Sequence, residues 1–278
     1  MTTIRQSAHA RAPQPRALIV TVYGLHARNG EGWLSVATLI RLLAELDVDE
    51  PAVRSAVSRL KRRGILEARR VDDAAGYALS ESARAILAEG DRRIYRQRGA
   101  AAGEGWLLAV FSVPEAQRQR RHLLRSRLTW LGFGTVSAGV WVAPAHLEKE
   151  TVAVLEREGL WAYVDLFRAS RVGSGDSPGN VGTWWDLDAL QEMYDDFLAA
   201  YRPVLAAWRR RRRTDDAAAF ADHTRAVTAW RRLPFLDPGL PDDLLPAGWN
   251  GTAAANLFLA LHDRLTGPAQ RHVKEVGG

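Results

Sequence analysis

The 278-residue sequence has no cysteine and only two methionines. Without thiols, disulfides, thiolate metal sites and cysteine nucleophiles are excluded, and the composition suits a cytoplasmic chain. Long apolar runs are missing too: no stretch approaches the ~18 residues that a membrane-spanning helix needs. The polar, basic start Met1–Arg16 is not followed by the apolar core of a signal peptide, and Leu18–Leu25 is too short for that role. What is present is ordinary for a globular protein, with 47% hydrophobic and 25% charged residues. The length is enough for two or three domains. Charge is unevenly spread. Residues 1–98 hold 17 Lys and Arg against 11 Asp and Glu, which accounts for the whole net charge of +6. Aromatics run the other way, for only Trp33 of ten tryptophans precedes Trp106. A basic N-terminal third on a nearly neutral body is the pattern of a nucleic-acid-binding domain joined to something else.

The most informative stretch is DEPAVRSAVSRLKRR, Asp49–Arg63. Asp49 can accept a hydrogen bond from the first turn of a helix, and Pro51 fits where its missing N–H would have had no partner. Val53, Ala56, Val57 and Leu60 then share one helical face. The opposite face carries Arg54, Ser55, Ser58, Lys61 and Arg62, with Arg59 and Arg63 on a flank. Gly64 ends the helix. An ordinary amphipathic surface helix has the same pattern, so the neighbouring segments decide between the readings. Arg16–Ala27 reads as a first helix, with Leu18, Ile19, Val22 and Leu25 inward and Asn29-Gly30 as a turn after it. Ser35 caps a second helix, Val36–Leu46, and Asp47-Val48-Asp49 turns into the third. Two helices, a tight turn and a basic second helix make a helix-turn-helix. Leu66–Val71 and Gly76–Leu79 read as strands about an Asp72–Ala75 tip, a wing carrying Arg69 and Arg70. A linking helix from Ser80 to about Arg98 carries Arg84, Arg92, Arg93, Arg96 and Arg98.

The small-residue segment Gly99–Gly105 marks a first boundary. After it come a buried strand (Trp106–Ser112), a helix from Pro114, a strand pair (Gly132–Ser137, Gly139–Ala143), a helix (His146–Glu158) and a strand (Leu160–Arg168). The order βαββαβ is that of a ferredoxin-like domain. Arg171–Thr183 is a glycine-rich loop and the second boundary. Three helices follow, Trp184–Arg213, Asp215–Leu233 and Thr252–Leu265, the last two separated by a proline-rich crossing, Pro234–Gly251. The run Arg209–Arg213 is a solvated helix end or an anion contact, and residues from Thr266 are expected to fray. The fold class is therefore α+β. A winged helix-turn-helix domain with its linking helix spans 1–98, a ferredoxin-like central domain 104–170, and an all-helical C-terminal domain 183–278.

With these parts in hand, the chain resembles the PaaX family of bacterial repressors. The matching segments are Leu18–Gly24 (LIVTVYG), Ala52–Leu66 (AVRSAVSRLKRRGIL), Tyr77–Arg84, Val110–Gly134, Gly139–Pro144 and Leu233–Gly251 (LPFLDPGLPDDLLPAGWNG). The resemblance implies a winged-helix N-terminus, a Cas2-like middle and a helical C-terminus. It also implies a homodimer on a palindromic double-stranded DNA operator. An aryl-acetyl-CoA thioester would release it, phenylacetyl-CoA in the founding members, though the family does not fix the ligand here. The expected DNA-contacting residues are Arg54, Ser55, Ser58, Arg59, Lys61 and Arg62 on the helix and Arg69 and Arg70 on the wing. For an acyl-CoA effector the candidates are Arg168, Arg171 and the N–H groups of the Gly173–Gly182 loop for phosphate, with Trp184 and Trp185 for the aryl group. These tryptophans suit a plain core equally well.

Catalysis is not expected. Cas2-like nucleases hold a metal through an Asp at the end of the first strand, and here that place is Phe111-Ser112. His122, His146, His223 and His262 fall on four different helices without ligand spacing, so neither metal nor cofactor is expected, unless folding gathers them. The alternative reading, an acyl-CoA hydrolase that carries a winged helix, would need convergent acid, base or nucleophile groups, and the sequence offers no such cluster.

Overall fold

The structure is a computed structural model that describes residues 14–28, 32–95, 99–100, 103–172 and 178–277. Asn29-Gly30, Arg96, Arg98 and residues 173–177 of the glycine-rich loop lie outside the described residues. The described residues are mixed α and β, with two antiparallel sheets among them. The chain divides into two compact units, one of Met1–Tyr95, Asp195–Arg231 and Thr252–Gly278, the other of Arg96–Tyr194 and Arg232–Gly251. Of the C-terminal helical stretch, residues 195–231 and 252–278 fall in the first unit and 232–251 in the second.

In the first unit, helix α1 (Pro15–Val22) continues into a π-helical turn, Tyr23–Ala27. A short strand β1 (Trp33–Ser35) precedes helices α2 (Val36–Ala44) and α3 (Glu50–Arg62), the hairpin β2 (Leu66–Val71) and β3 (Ala74–Leu79), and helix α4 (Glu81–Tyr95). The sheet order is β1-β3-β2. Strand β1 has no periodicity of its own, which is why the sequence does not announce it; β3 holds it in antiparallel register, Leu34 opposite Tyr77 and Ser35 opposite Gly76. The hairpin tip is tighter than expected. Val71 pairs with Ala74, and Asp72 and Asp73 take the two positive φ angles, 46° and 62°, of a two-residue turn. Asp tolerates that region because its short polar side chain bonds locally.

Gly76 of β3 lies close against β1, opposite Ser35. A Cβ there would lie 2.4 Å from both Leu34 O and Trp33 Nε1. Gly76→Ala should therefore push Trp33 off the hairpin and lower stability by about 1–3 kcal/mol, read as a drop in the urea midpoint with the slope unchanged.

The rest of the first unit comes from the C-terminal half: the later turns of α8 (Leu187–Arg210), α9 (Asp216–Trp230) and α11 (Gly251–Gly277). Phe220 and Ala221 of α9 and Ala269 and Val273 of α11 belong to one buried core with Leu18, Ile19, Leu39, Leu42, Leu43, Val53 and Val57. Trp230 stacks on Phe258 at 4.9 Å and donates its Nε1–H to Ile94 O at 3.0 Å. Arg264 donates to Trp208 O at 2.7 Å near the end of α8, where a cation meets the negative end of the helix dipole. The expectation that residues from Thr266 fray is corrected. Helix α11 continues through Pro268 to Gly277, because Ala269, His272 and Val273 are buried and anchor its last turns.

The second unit holds β4 (Trp106–Phe111), α5 (Arg118–Trp130), β5 (Gly134–Ser137), β6 (Val140–Pro144), α6 (Glu148–Arg157) and β7 (Val164–Ala169). It also holds α7 (Pro178–Val181), the start of α8 and the short helix α10 (Leu233–Leu236). Its sheet runs β5-β6-β4-β7, antiparallel throughout. Alternation along β4 sends Leu107, Ala109 and Phe111 into a core with Leu124 and Leu128 of α5 and Val154 and Leu155 of α6. Trp106 points to the other face, into a second cluster with Val142, Trp185, Leu187, Leu240 and Leu244.

Candidate nucleic-acid interface

Helix α3 begins as its sequence dictates. Asp49 caps it, the carboxylate accepting from Ala52 N at 2.8 Å, and Pro51 sits in the first turn. Val53, Ala56, Val57 and Leu60 are buried, which fixes the rotation of the helix about its axis. Arg54, Ser55, Ser58, Arg59, Lys61, Arg62 and Arg63 are all exposed. The stop is equally local. Gly64, at φ +66°, donates to Lys61 O while Ile65 N donates to Leu60 O, so the last carbonyls are satisfied. Ser80 then ties the end of α3 to the start of α4, its hydroxyl 2.6 Å from Gly64 O.

The cationic face is not uniform. Arg54 is engaged with Glu50 one turn earlier at 2.6 Å. Ser55, Arg59 and Arg62 fall on one stripe of the helix, at i, i+4 and i+7. Beside them, β2 of the hairpin presents Arg69 and Arg70, both exposed. Arg70 donates to Asp73 O at 2.8 Å, while Trp33 donates its indole N–H to Arg69 O at 3.1 Å. Val36, Ala68, Arg69, Arg70, Ala75, Gly76 and Tyr77 line a shallow open depression of about 180 Å³ on this hairpin. From inside, Tyr23 donates its hydroxyl to Tyr77 O at 3.0 Å, and burial holds its pKa well above the usual phenol range. A convex helix with an apolar back and an arginine–serine front, next to a hairpin bearing two more arginines, can meet phosphates with its cations and base edges with its forked donors.

Comparison with known proteins gives matches along almost the whole chain. Residues 14–83 match the family description "PaaX-like protein", residues 100–181 "PaaX protein central Cas2-like domain", and residues 185–275 "PaaX-like protein C-terminal domain". The chain belongs to the PaaX family. It is 27% identical over 284 aligned residues to the transcriptional repressor PaaX of Escherichia coli strain K12, covering 99% of this chain and 88% of that one. Among solved structures, the uncharacterized protein Rv0674 from Mycobacterium tuberculosis is similar at a TM-score of 0.59 and 24% identity, over 96% of this chain and 99% of that one. The latter likeness concerns fold alone.

Within this PaaX-family chain, the effector candidates are placed in the second unit. Trp185 is buried, donates its Nε1–H to Gly132 O at 2.9 Å and lies against Gly134, where a Cβ would come within 2.6 Å of its ring. Trp184 extends the β5 edge by accepting from Thr135 N at 2.9 Å, and its ring meets Trp106 edge-on at 5.4 Å. The Arg171 guanidinium lies 5.7 Å from the Trp184 ring centroid, and Arg168 is paired with Glu148. Trp184, Trp185 and Arg171 are thus brought together.

The sequence singled out four histidines on separate helices, and folding joins two of them. His223 Nε2 lies 3.0 Å from His262 Nδ1. Two further histidines, which no local pattern marks, complete the group. His26, on the π-helical turn, packs on Phe220 and His223, and His272 lies against Phe220. Among the described residues, both ring nitrogens of His26 and Nδ1 of His223 are buried without a partner. Among the described residues, no group of three or more His, Asp or Glu side chains is disposed to hold a metal ion. No helix among them is long and apolar enough to cross a membrane.

Proposed function

We propose that this chain is a DNA-binding transcriptional repressor that works as a homodimer on a two-fold operator and is released by an aryl-acyl-CoA. The observation that carries the reading is the exposed stripe Ser55–Arg59–Arg62 on a helix whose back is locked by Val53, Ala56, Val57 and Leu60. In this reading α2, the turn and α3 are a helix-turn-helix and β2–β3 its wing. Helix α3 enters the major groove, where Arg59 and Arg62 reach guanine edges or phosphates, with Arg54, Ser55, Ser58 and Lys61 beside them. Arg69 and Arg70 meet the backbone next to the groove. The name and near full-length match of the Escherichia coli relative support the same conclusion.

The central sheet is read as ferredoxin-like, in keeping with its βαββαβ order and its antiparallel arrangement, second strand beside third, third beside first, first beside fourth. Its outer face is covered at one end by the Trp106–Trp185 cluster, whereas Val110 and Phe167 farther along remain 39% and 53% exposed. A second copy is the partner that a two-fold reader supplies for such a face. Phe167→Lys should then convert the dimer to monomer in sedimentation velocity. It should also cut affinity for a two-half-site duplex far more than for a single half-site; a variant that stays dimeric rejects this interface.

For the effector, Arg171 over Trp184 supports a site where a cation and an aromatic wall meet an acyl-CoA. The experiment is a fluorescence anisotropy titration of a labelled duplex from upstream of the chain's own gene, at several salt concentrations, followed by addition of phenylacetyl-CoA. Tight, steeply salt-dependent binding, reversed by the thioester, is expected. No preference over an unrelated duplex would reject the repressor reading, and binding untouched by a series of aryl-acyl-CoAs would reject the release step.

A further inference from the structure

The turn between α2 and α3 decides how the cationic helix is presented, and it is gripped from outside by two helices that lie more than 160 residues later in the chain. The turn is short and strained: Asp47 is a non-glycine residue at φ +62°, while Leu46 and Val48 on either side are buried. From α11, His272 brings Nε2 to 2.7 and 2.8 Å from the two carboxylate oxygens of Glu45, the residue that ends α2. From α9, Arg225 reaches Asp47 Oδ2 at 2.7 Å. One turn back on α2, Arg41 donates to Val276 O at 2.6 Å near the end of α11. Beneath these polar contacts, Phe220, Ala221, Ala269 and Val273 share the core with Leu39, Leu42 and Leu43 of α2.

Stability alone does not account for the Asp47–Arg225 part of this arrangement. The Asp47 side chain is 91% exposed in its pair with Arg225, and exposed pairs contribute little to stability. A pair worth so little to the fold can still set an angle, because a small tilt of α3 moves Arg59 and Arg62 across the width of a groove. We infer that His272 and Arg225 are positioning residues: through Glu45 and Asp47 they clamp the α2–α3 turn and hold α3 at the orientation that reads DNA. Any event that shifts α9 or α11 then reaches α3 through the clamp. The inference rests on the proposed DNA-binding function and adds to it the elements that control it.

The test is the double variant Glu45→Gln with Asp47→Asn in the full chain. Asn keeps the positive φ that Asp47 adopts, so the turn is not disrupted for backbone reasons. Removing two negative charges beside a cationic surface leaves non-specific DNA affinity level or raises it. The clamp predicts instead that affinity for the upstream duplex falls tenfold or more, so the specific-to-non-specific ratio collapses. The thermal midpoint is expected to move little, while the amides of Leu46, Asp47 and Val48 exchange faster with solvent. His272→Gln, which keeps one donor toward Glu45, should retain more of the ratio than His272→Ala. An unchanged ratio in the double variant, with wild-type protein binding the duplex, overturns the clamp and leaves the repressor reading intact. Wild-type protein that prefers no duplex overturns both.

Discussion

Arg59→Ala combined with Arg62→Ala should weaken binding to the upstream duplex by about 100-fold or more, since each side chain that reaches a base edge or a desolvated phosphate is worth roughly 1–3 kcal/mol. Both residues are exposed on α3, so their removal opens no cavity and should leave circular dichroism and the thermal midpoint unchanged. The single variants separate the two roles. A residue that reads a base loses affinity mainly for the correct sequence and relaxes the preference at one position. A residue on phosphate loses affinity evenly over all sequences and lowers the salt slope by about one. Arg54→Ala is the internal comparison. Arg54 already has Glu50 as a counter-ion at 2.6 Å, so part of what DNA would gain from it is spent breaking that pair, and its loss should cost less than that of Arg59. Equal, small losses for all three would mean that α3 is only a charged surface helix and that the chain meets DNA elsewhere, if it meets it at all.

How much of this was legible beforehand follows from the range of the forces involved. Helix α3 was readable from cap to stop because Asp49, Pro51, the Val53–Leu60 face and Gly64 all act within a few residues of one another. The βαββαβ order was readable because β4 is a continuous apolar run and α5 and α6 keep helical spacing. The two-residue hairpin tip is not legible because Asp72-Asp73 lacks the glycine that usually announces such a turn. Strand β1 depends wholly on its partner. What no local pattern carries is that α9 and α11 join the core of α1–α3: Phe220, Ala269 and Val273 are ordinary apolar helix positions until tertiary packing assigns them neighbours. For the same reason the sequence does not announce how far α11 runs past Leu265. The histidines show this most sharply, since His26, His223 and His262 are separated by up to 236 positions and meet only in the fold.

That meeting carries the second large effect. Acidifying the protein from pH 7 to about 4.5 should remove on the order of 5 kcal/mol of stability through His26 and His223 alone. Burial, helped by the nearby His272, pushes His26 down to about 4, and burial together with His262 and His26 pushes His223 down to about 3. His262 is lowered as well by burial, against the opposing pull of Asp263. The surroundings are otherwise aromatic: Phe220 against His26, and Tyr95 and Phe258 against His262. The unfolded chain therefore takes up protons near the ordinary histidine pKa, while the folded chain refuses them until far lower pH. The stability is complete above about pH 6.5 and is lost progressively as pH falls toward the depressed folded values. His26→Leu isolates the cause. It roughly preserves volume and deletes two buried ring nitrogens that have no partner among the described residues, each of which costs about 1–3 kcal/mol when left unsatisfied. The variant should be more stable than wild type by at least about 1 kcal/mol at pH 7, and it should lose one proton's share of the acid slope. Urea melts at pH 7.0, 5.5 and 4.5 measure both quantities. Wild-type stability that is flat over this range, or a variant with the same acid slope as wild type, would mean that water reaches these imidazoles and that the packing between the π-helical turn, α9 and α11 is looser than described.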